Sequence, residues 1–254
     1  MAETSVPQPF PLLQRAPIVE AVLDFRAPFK KNWEASNLKG LLLERLVGYP
    51  VVEEQRIIAA GFAQQVGNPP QMNLADLGCH GLLFRSQDGL KVAQFRRDGF
   101  TFSRLAPYER WETFAEEAQK QWLIYVELGQ PEVIQRLAVR FINRLLLPAD
   151  GFKLNEYLQQ PPKPPLGLEW PFHGFFHQST FAVPATDLAV TLVLTNENPV
   201  GSPPQIPLLL DIDVFVKSPI LPTEDLTARL QEMRLNKNLA FFRSLSDKAI
   251  SLLR

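Results

Sequence analysis

Residues 136–148 read RLAVRFINRLLLP, a β-forming apolar run interrupted by Arg140, Asn143 and Arg144. With a period of two, Val139, Phe141, Asn143, Leu145 and Leu147 share one face, and Ala138, Arg140, Ile142, Arg144 and Leu146 share the other. A covered strand holds guanidinium and amide groups only where they find partners, because burying them unpaired costs several kcal/mol. The stretch therefore says how the molecule must be assembled. It does not name a reaction.

A matching stretch lies near the C-terminus. In Leu208–Lys217, Leu208, Leu210, Ile212, Val214 and Val216 take one face, while Leu209, Asp211, Asp213 and Phe215 take the other. Two carboxylates facing two guanidiniums is the electrostatically economical arrangement, so Arg140 and Arg144 are expected to neutralise Asp211 and Asp213. The alternative is a hydrolase or nuclease in which the two aspartates hold a divalent cation and Lys237 stabilises negative charge.

Working outward, Ile18–Phe25 reads as a strand with Val19, Ala21, Leu23 and Phe25 apolar and Glu20, Asp24 and Arg26 opposite. Leu38, Leu41, Leu42 and Leu46 predict a helix over 35–47, stopped by Gly48 and Pro50. A strand over 56–65 and a loop over 67–73 follow. The dipeptides Asp88-Gly89 and Asp98-Gly99 mark hairpin turns, so 81–105 reads as a meander of three short strands. Trp111, Phe114, Ala115, Ala118, Trp122 and Tyr125 form a helical stripe over 108–127.

The second half repeats the order. It has a strand at 135–147, a short helix near 154–158, and strands at 175–184, 189–196 and 207–217. A last helix begins from Thr223 as N-cap. The pattern predicts an α+β fold with an internal repeat: two similar halves, 17–131 and 132–254, each a curved antiparallel sheet with a long helix on one face. An extended, proline-rich leader over 1–16 precedes them. In the last helix Lys237 interrupts the stripe of Leu226, Leu230 and Met233. The break reads as a solvated stretch, a helix kink or a lysine used at a cleft, with a snorkelling lysine the plainest reading and Asn238 beside it. Ser244 or Ser246 restarts the helix as a cap.

Composition bounds function. The 254 residues carry 26 Lys and Arg against 27 Asp and Glu, which argues against a broad basic surface for duplex nucleic acid. One cysteine, Cys79, allows no disulfide and no thiolate zinc site; a buried reduced thiol in the cytoplasm is expected. The N-terminus lacks signal-peptide character and no apolar run is long enough to span a bilayer. His173 and His177 are four apart but sit in an aromatic, Pro/Gly-flanked stretch without an acidic neighbour, so no metal is assigned. Phosphate-binding glycine loops, nucleophile elbows and dinucleotide fingerprints are absent, and no cofactor is expected. Phe95-Arg96-Arg97 and Phe100–Arg104 interleave aromatic and basic residues, as a single-strand nucleic-acid platform would, and as ordinary half-buried hairpins also do.

Four segments in order complete the reading: Pro17-Ile18-Val19-Glu20-Ala21, Phe102-Ser103-Arg104-Leu105-x-Pro107-Tyr108-x-x-Trp111, Arg140-Phe141-Ile142-Asn143-Arg144 and Lys237-Asn238-x-x-Phe241-Phe242. Together they resemble an uncharacterised family of sporadically distributed bacterial proteins of this length. That resemblance implies mobile or defence-associated genes and supplies no activity. The expectation is a non-enzymatic cytosolic binding protein with a protein partner or a second copy of itself. Its polar set is Arg140, Asn143, Arg144, Asp211, Asp213, Lys237 and Asn238.

Overall fold

The computed structural model describes residues 10–63, 71–165, 167–168, 174–196 and 205–254. Its strands are β1 (Ile18–Arg26), β2 (Val51–Ala63), β3 (Gln71–Arg85), β4 (Lys91–Arg96), β5 (Gly99–Leu105), β6 (Arg136–Pro148), β7 (Phe176–Ala182), β8 (Leu188–Asn196) and β9 (Gln205–Val216). The helices are α1 (Ala35–Arg45), α2 (Trp111–Gly129), α3 (Thr227–Ser244) and α4 (Asp247–Ser251), with a 3-10 turn at Leu154–Glu156. All nine strands join one antiparallel sheet in the order β2-β3-β4-β5-β1-β6-β9-β8-β7.

This corrects the expectation of two similar halves, each with its own sheet and long helix. β1 and β6 pair directly, from Glu20↔Ile142 to Arg26↔Arg136, so what would have been two exposed edges are consumed in one ladder. The contributions are also unequal. Five strands and α1 precede α2, whereas four strands and only a 3-10 turn precede α3.

Alternation decides which face is covered. Ala21, Leu23 and Phe25 of β1, Phe100 and Phe102 of β5, and Val139, Phe141, Leu145 and Leu147 of β6 are at most 1% exposed and lie beneath the helices. Leu208, Leu210, Ile212, Val214 and Val216 of β9 continue that layer. The α2 stripe of Trp111, Phe114, Ala115, Ala118, Trp122 and Tyr125 is buried throughout. Trp122 stacks on Phe25 at 4.4 Å, and the Tyr125 hydroxyl donates to the Ala27 carbonyl at 2.6 Å. Burying these large rings supplies roughly 2–3 kcal/mol of transfer free energy apiece.

Several boundaries differ from the sequence reading. The expected loop over 67–73 overlaps β3 at 71–73, while 67–70 lies outside the described residues. β2 and β3 pair from Val51↔Arg85 to Ala63↔Gln71, yet β4 reaches only Gly81–Arg85, so the distal part of this hairpin has a single sheet neighbour. α3 begins at Thr227, not Thr223, because Glu224 accepts from the Leu221 N–H and Asp225 from the Thr227 N–H, closing turns before the helix. Ser246 caps α4 through the Ala249 N–H. In the leader, Phe10 stacks on Phe242 at 5.1 Å and the Arg15 N–H reaches the Leu253 carbonyl. Cys79 is only half-buried, its thiol on the Gly81 carbonyl. Among the described residues, no helix is long and apolar enough to cross a membrane.

Candidate functional site

The sheet face turned away from the helices carries a connected row of charges. On β1, Asp24 accepts from Thr101 at 2.6 Å, from Arg96 at 3.1 Å, from Arg26 at 3.1 Å and from Arg136 at 3.4 Å. Asp98, at the β4–β5 turn, accepts from Arg26 at 2.8 Å and Arg96 at 3.1 Å. Arg136 also donates to Asp213 on β9, and Arg140 grips Asp211 with Nε at 2.9 Å and a second donor from Nη2. The row thus crosses β4, β5, β1, β6 and β9, with backbone register fixing every member.

Compensation between arginines and aspartates is therefore present, with one partner changed. Arg140 stands opposite Asp213 in the ladder but reaches diagonally to Asp211, and Arg136 takes Asp213. Arg144 is opposite Leu209 and donates its backbone N–H to the Pro17 carbonyl. The physical reason is reach: an arginine leans along its strand, so the diagonal carboxylate is as accessible as the facing one.

Two aspartates in this row differ in their electrostatics. Burial pushes the Asp213 carboxyl above its ordinary range, outweighing Arg136 and Arg140 beside it, and its Oδ1 has no hydrogen-bond partner among the described residues. Asp98 is also penalised by burial, yet Arg96, Arg26 and His80 hold it below the usual range. Removing Arg136 is expected to be costly because Asp213 would keep its charge in a covered place. Arg136→Ala should lose roughly 1–3 kcal/mol in urea unfolding at neutral pH, and adding Asp213→Asn should recover more than half of it. A double variant as weak as the single one would move the loss to Arg136 packing on the Phe215 ring, 4.9 Å away.

The other polar candidates lie on the helix side. Asn143 is 2% exposed and donates to the carbonyls of Phe141 and Leu210. Lys237, on α3, places its ammonium 4.0 Å from the Phe141 ring centre, and no carboxylate lies within ion-pair distance among the described residues. Burial, with repulsion from Arg234, lowers its pKa to about 7. Neither snorkelling nor a cleft describes it: the amine rests on an aromatic face. Asn238 is half-buried beside it.

Phe141 is a meeting point. Tyr108 packs edge-on at 5.4 Å, Trp111 lies at 6.4 Å and Phe114 at 6.1 Å, while Arg234 covers Trp111 at 5.6 Å and pairs with Glu112. The Ala106 N–H also reaches the Val19 carbonyl. All four quoted motif segments thus touch this region.

Of the paired histidines, His177 is exposed on β7 with Ser179 at 2.9 Å, and His173 lies outside the described residues. Among the described residues no group of three metal-ligating side chains gathers. Phe95, Phe100 and Phe102 are at most 2% exposed, packed in the core and unavailable for stacking bases. Sequence reasoning named Arg136, Arg96 and Asp98 without joining them to this row; Asp24 and Arg26 stood on the noted polar face of β1. The chain matches no protein-family model, no characterised protein and no solved structure with which it was compared.

Proposed function

We propose that the protein is a non-enzymatic binding protein that docks a protein partner, in the cytosol, on the helix-free face of its sheet. The observation that carries this reading is that row of paired charges, set on a rigid sheet and flanked by accessible apolar side chains. Arg140 and Arg26 are 49% and 46% exposed. Leu146 and Phe176, on the same face, are 48% and 69% exposed. Arginine beside aromatic and aliphatic anchors is the composition of protein interfaces.

The charge pattern supports a protein over a polyanion. Arg26, Arg85, Arg96, Arg136, Arg140 and Arg144 share the face with Glu20, Glu53, Asp24, Asp98, Asp211 and Asp213. Both signs are interleaved along the row, with no single-sign stripe of the kind that attracts a polyanion. The hydrolase alternative requires Asp211 and Asp213 to exchange their guanidinium partners for a cation. The chain also keeps its place, in this proposal, beside the sporadic bacterial proteins whose four motifs it carries.

A photo-crosslinking residue placed at Arg26 or Leu146 should capture one discrete protein partner in the producing cell. The same residue at Lys120, on the outer surface of α2 and 69% exposed, should capture none. Equal adducts from both sides would overturn the reading.

A further inference from the structure

On the helix side, where β4 and β5 meet the start of α2, a pocket of about 190 Å³ opens between Arg104, Lys91, Asp88, Glu109, Glu117 and Tyr108. We propose that it binds a small oxyanion, a carboxylate or phosphate group, with Arg104 as its principal ligand. Arg104 is 8% exposed. Its Nη2 donates to Glu109 at 3.1 Å, while its Nη1 has no hydrogen-bond partner among the described residues, the Asp88 carboxylate standing 3.9 Å away. A guanidinium offers five donors in a planar fork suited to two acceptor oxygens at once, and this one uses a single outer nitrogen.

The pocket's other two carboxylates are already engaged. Glu117 accepts from Tyr49 at 2.7 Å and pairs with Lys91 at 2.7 Å. Asp88 accepts from the Ser86 hydroxyl and from the Leu90 N–H at 3.0 Å. Arg104 lies between Glu109 at 3.1 Å and Asp88 at 3.9 Å, so what it has to spare is a donor, Nη1, and not net charge. Its one bonded carboxylate, Glu109, has a side chain 67% exposed on a short connection, free to swing into water. Glu109 occupies the anion's place and yields it.

The pocket also borders the first turn of α2, a 19-residue helix whose N-cap, Arg110, makes no side-chain capping bond. The Arg110 guanidinium turns instead to the Thr113 hydroxyl at 2.8 Å. Unsatisfied N–H groups and the positive end of the helix dipole there favour an anion. Pockets for drug-sized molecules run from about 300 Å³ upward, so this one suits a compact group.

Titrate the full chain with inorganic phosphate, acetate and chloride at matched ionic strength, following heat release and thermal midpoint. Saturable binding of phosphate or acetate is expected, whichever binds identifying the source, with none for chloride. Arg104→Lys keeps the charge and loses the fork, and should weaken binding roughly tenfold or more. Glu109→Gln removes the competing carboxylate and should tighten it. Equal responses to all three salts, or an affinity indifferent to both variants, would overturn the proposal. If Arg104→Lys does not fold, a Glu109→Gln affinity no tighter than wild type overturns it alone.

Discussion

Gly99→Ala is expected to cost roughly 3–5 kcal/mol, enough to remove most of the stability of a typical domain. Gly99 closes the Asp98-Gly99 turn and pairs with both Arg26 on β1 and Arg96 on β4. A methyl group there would lie 2.1 Å from the Phe25 carbonyl oxygen and 3.1 Å from the Arg26 Cα. Those are backbone atoms of a central strand, and β1 cannot retreat because its other edge is bonded to β6. Gly89, in the sister Asp88-Gly89 turn, has φ +72° and open space around it. Gly89→Ala should therefore cost only about 1–2 kcal/mol of left-handed strain. Urea midpoints for the two variants make the comparison. Equal losses would mean that the close approach to β1 does not govern the turn.

The contrast shows what sequence reports and what it withholds. Both Asp-Gly pairs announce a turn, because glycine accepts the dihedrals; neither announces how near the next strand passes. Alternation works the same way. The apolar faces of β6 and β9 and the α2 stripe were legible residue by residue, since burial imposes periods of two and 3.6. Strand neighbours were not. β1 and β6 carry the same alternation as any half-buried strand, and nothing in that period says that they pair with each other to fuse two sheets into one. β3 also begins at Gln71, well before the expected start of the meander at 81, and runs through Gly78 and Gly81. Gly81 lies within that strand, where a Cβ would stand 3.1 Å from the Phe95 carbonyl oxygen and would displace the end of the Gln55 side chain.

The charged face was half legible. Arginine and aspartate embedded in greasy strands demanded one another, and Arg140 with Asp211 answers that demand. Which arginine meets which aspartate is beyond alternation, because register constrains Cα atoms while a guanidinium ranges over a diagonal. Arg136 shares the face of Arg140, one step of the alternation earlier than the residues assigned a face, and takes Asp213. Asp24 sits at the centre of the row only because β1 inserts between β5 and β6, a fact of topology. The break at Lys237 in the α3 stripe was visible too, though its ring partner was a β-strand residue 96 positions earlier in the chain.

Lys237→Met should stabilise the protein, by roughly 2–4 kcal/mol at and below neutral pH. The wild-type ammonium is desolvated and repelled by Arg234, and rests on the Phe141 ring with no carboxylate in ion-pair reach among the described residues, which leaves its pKa at about 7. An unfolded lysine titrates near 10.4, so between about pH 7 and pH 10 the unfolded chain binds the extra proton. Wild-type stability consequently rises with pH across that window, and below it the full penalty is in force. Methionine keeps the unbranched stem against Phe141 without a charge to desolvate, so its advantage is largest near pH 6 and fades by about pH 9–10. Above about pH 10 a second effect enters in both proteins. Burial pushes the hydroxyls of Tyr49, Tyr108 and Tyr125 upward, so the unfolded chain loses those protons first and stability falls. Urea unfolding of wild type and Lys237→Met at about pH 6 and about pH 9 separates the contributions. Curves that converge with rising pH are expected; parallel ones would show that the lysine is protonated at no cost where it stands.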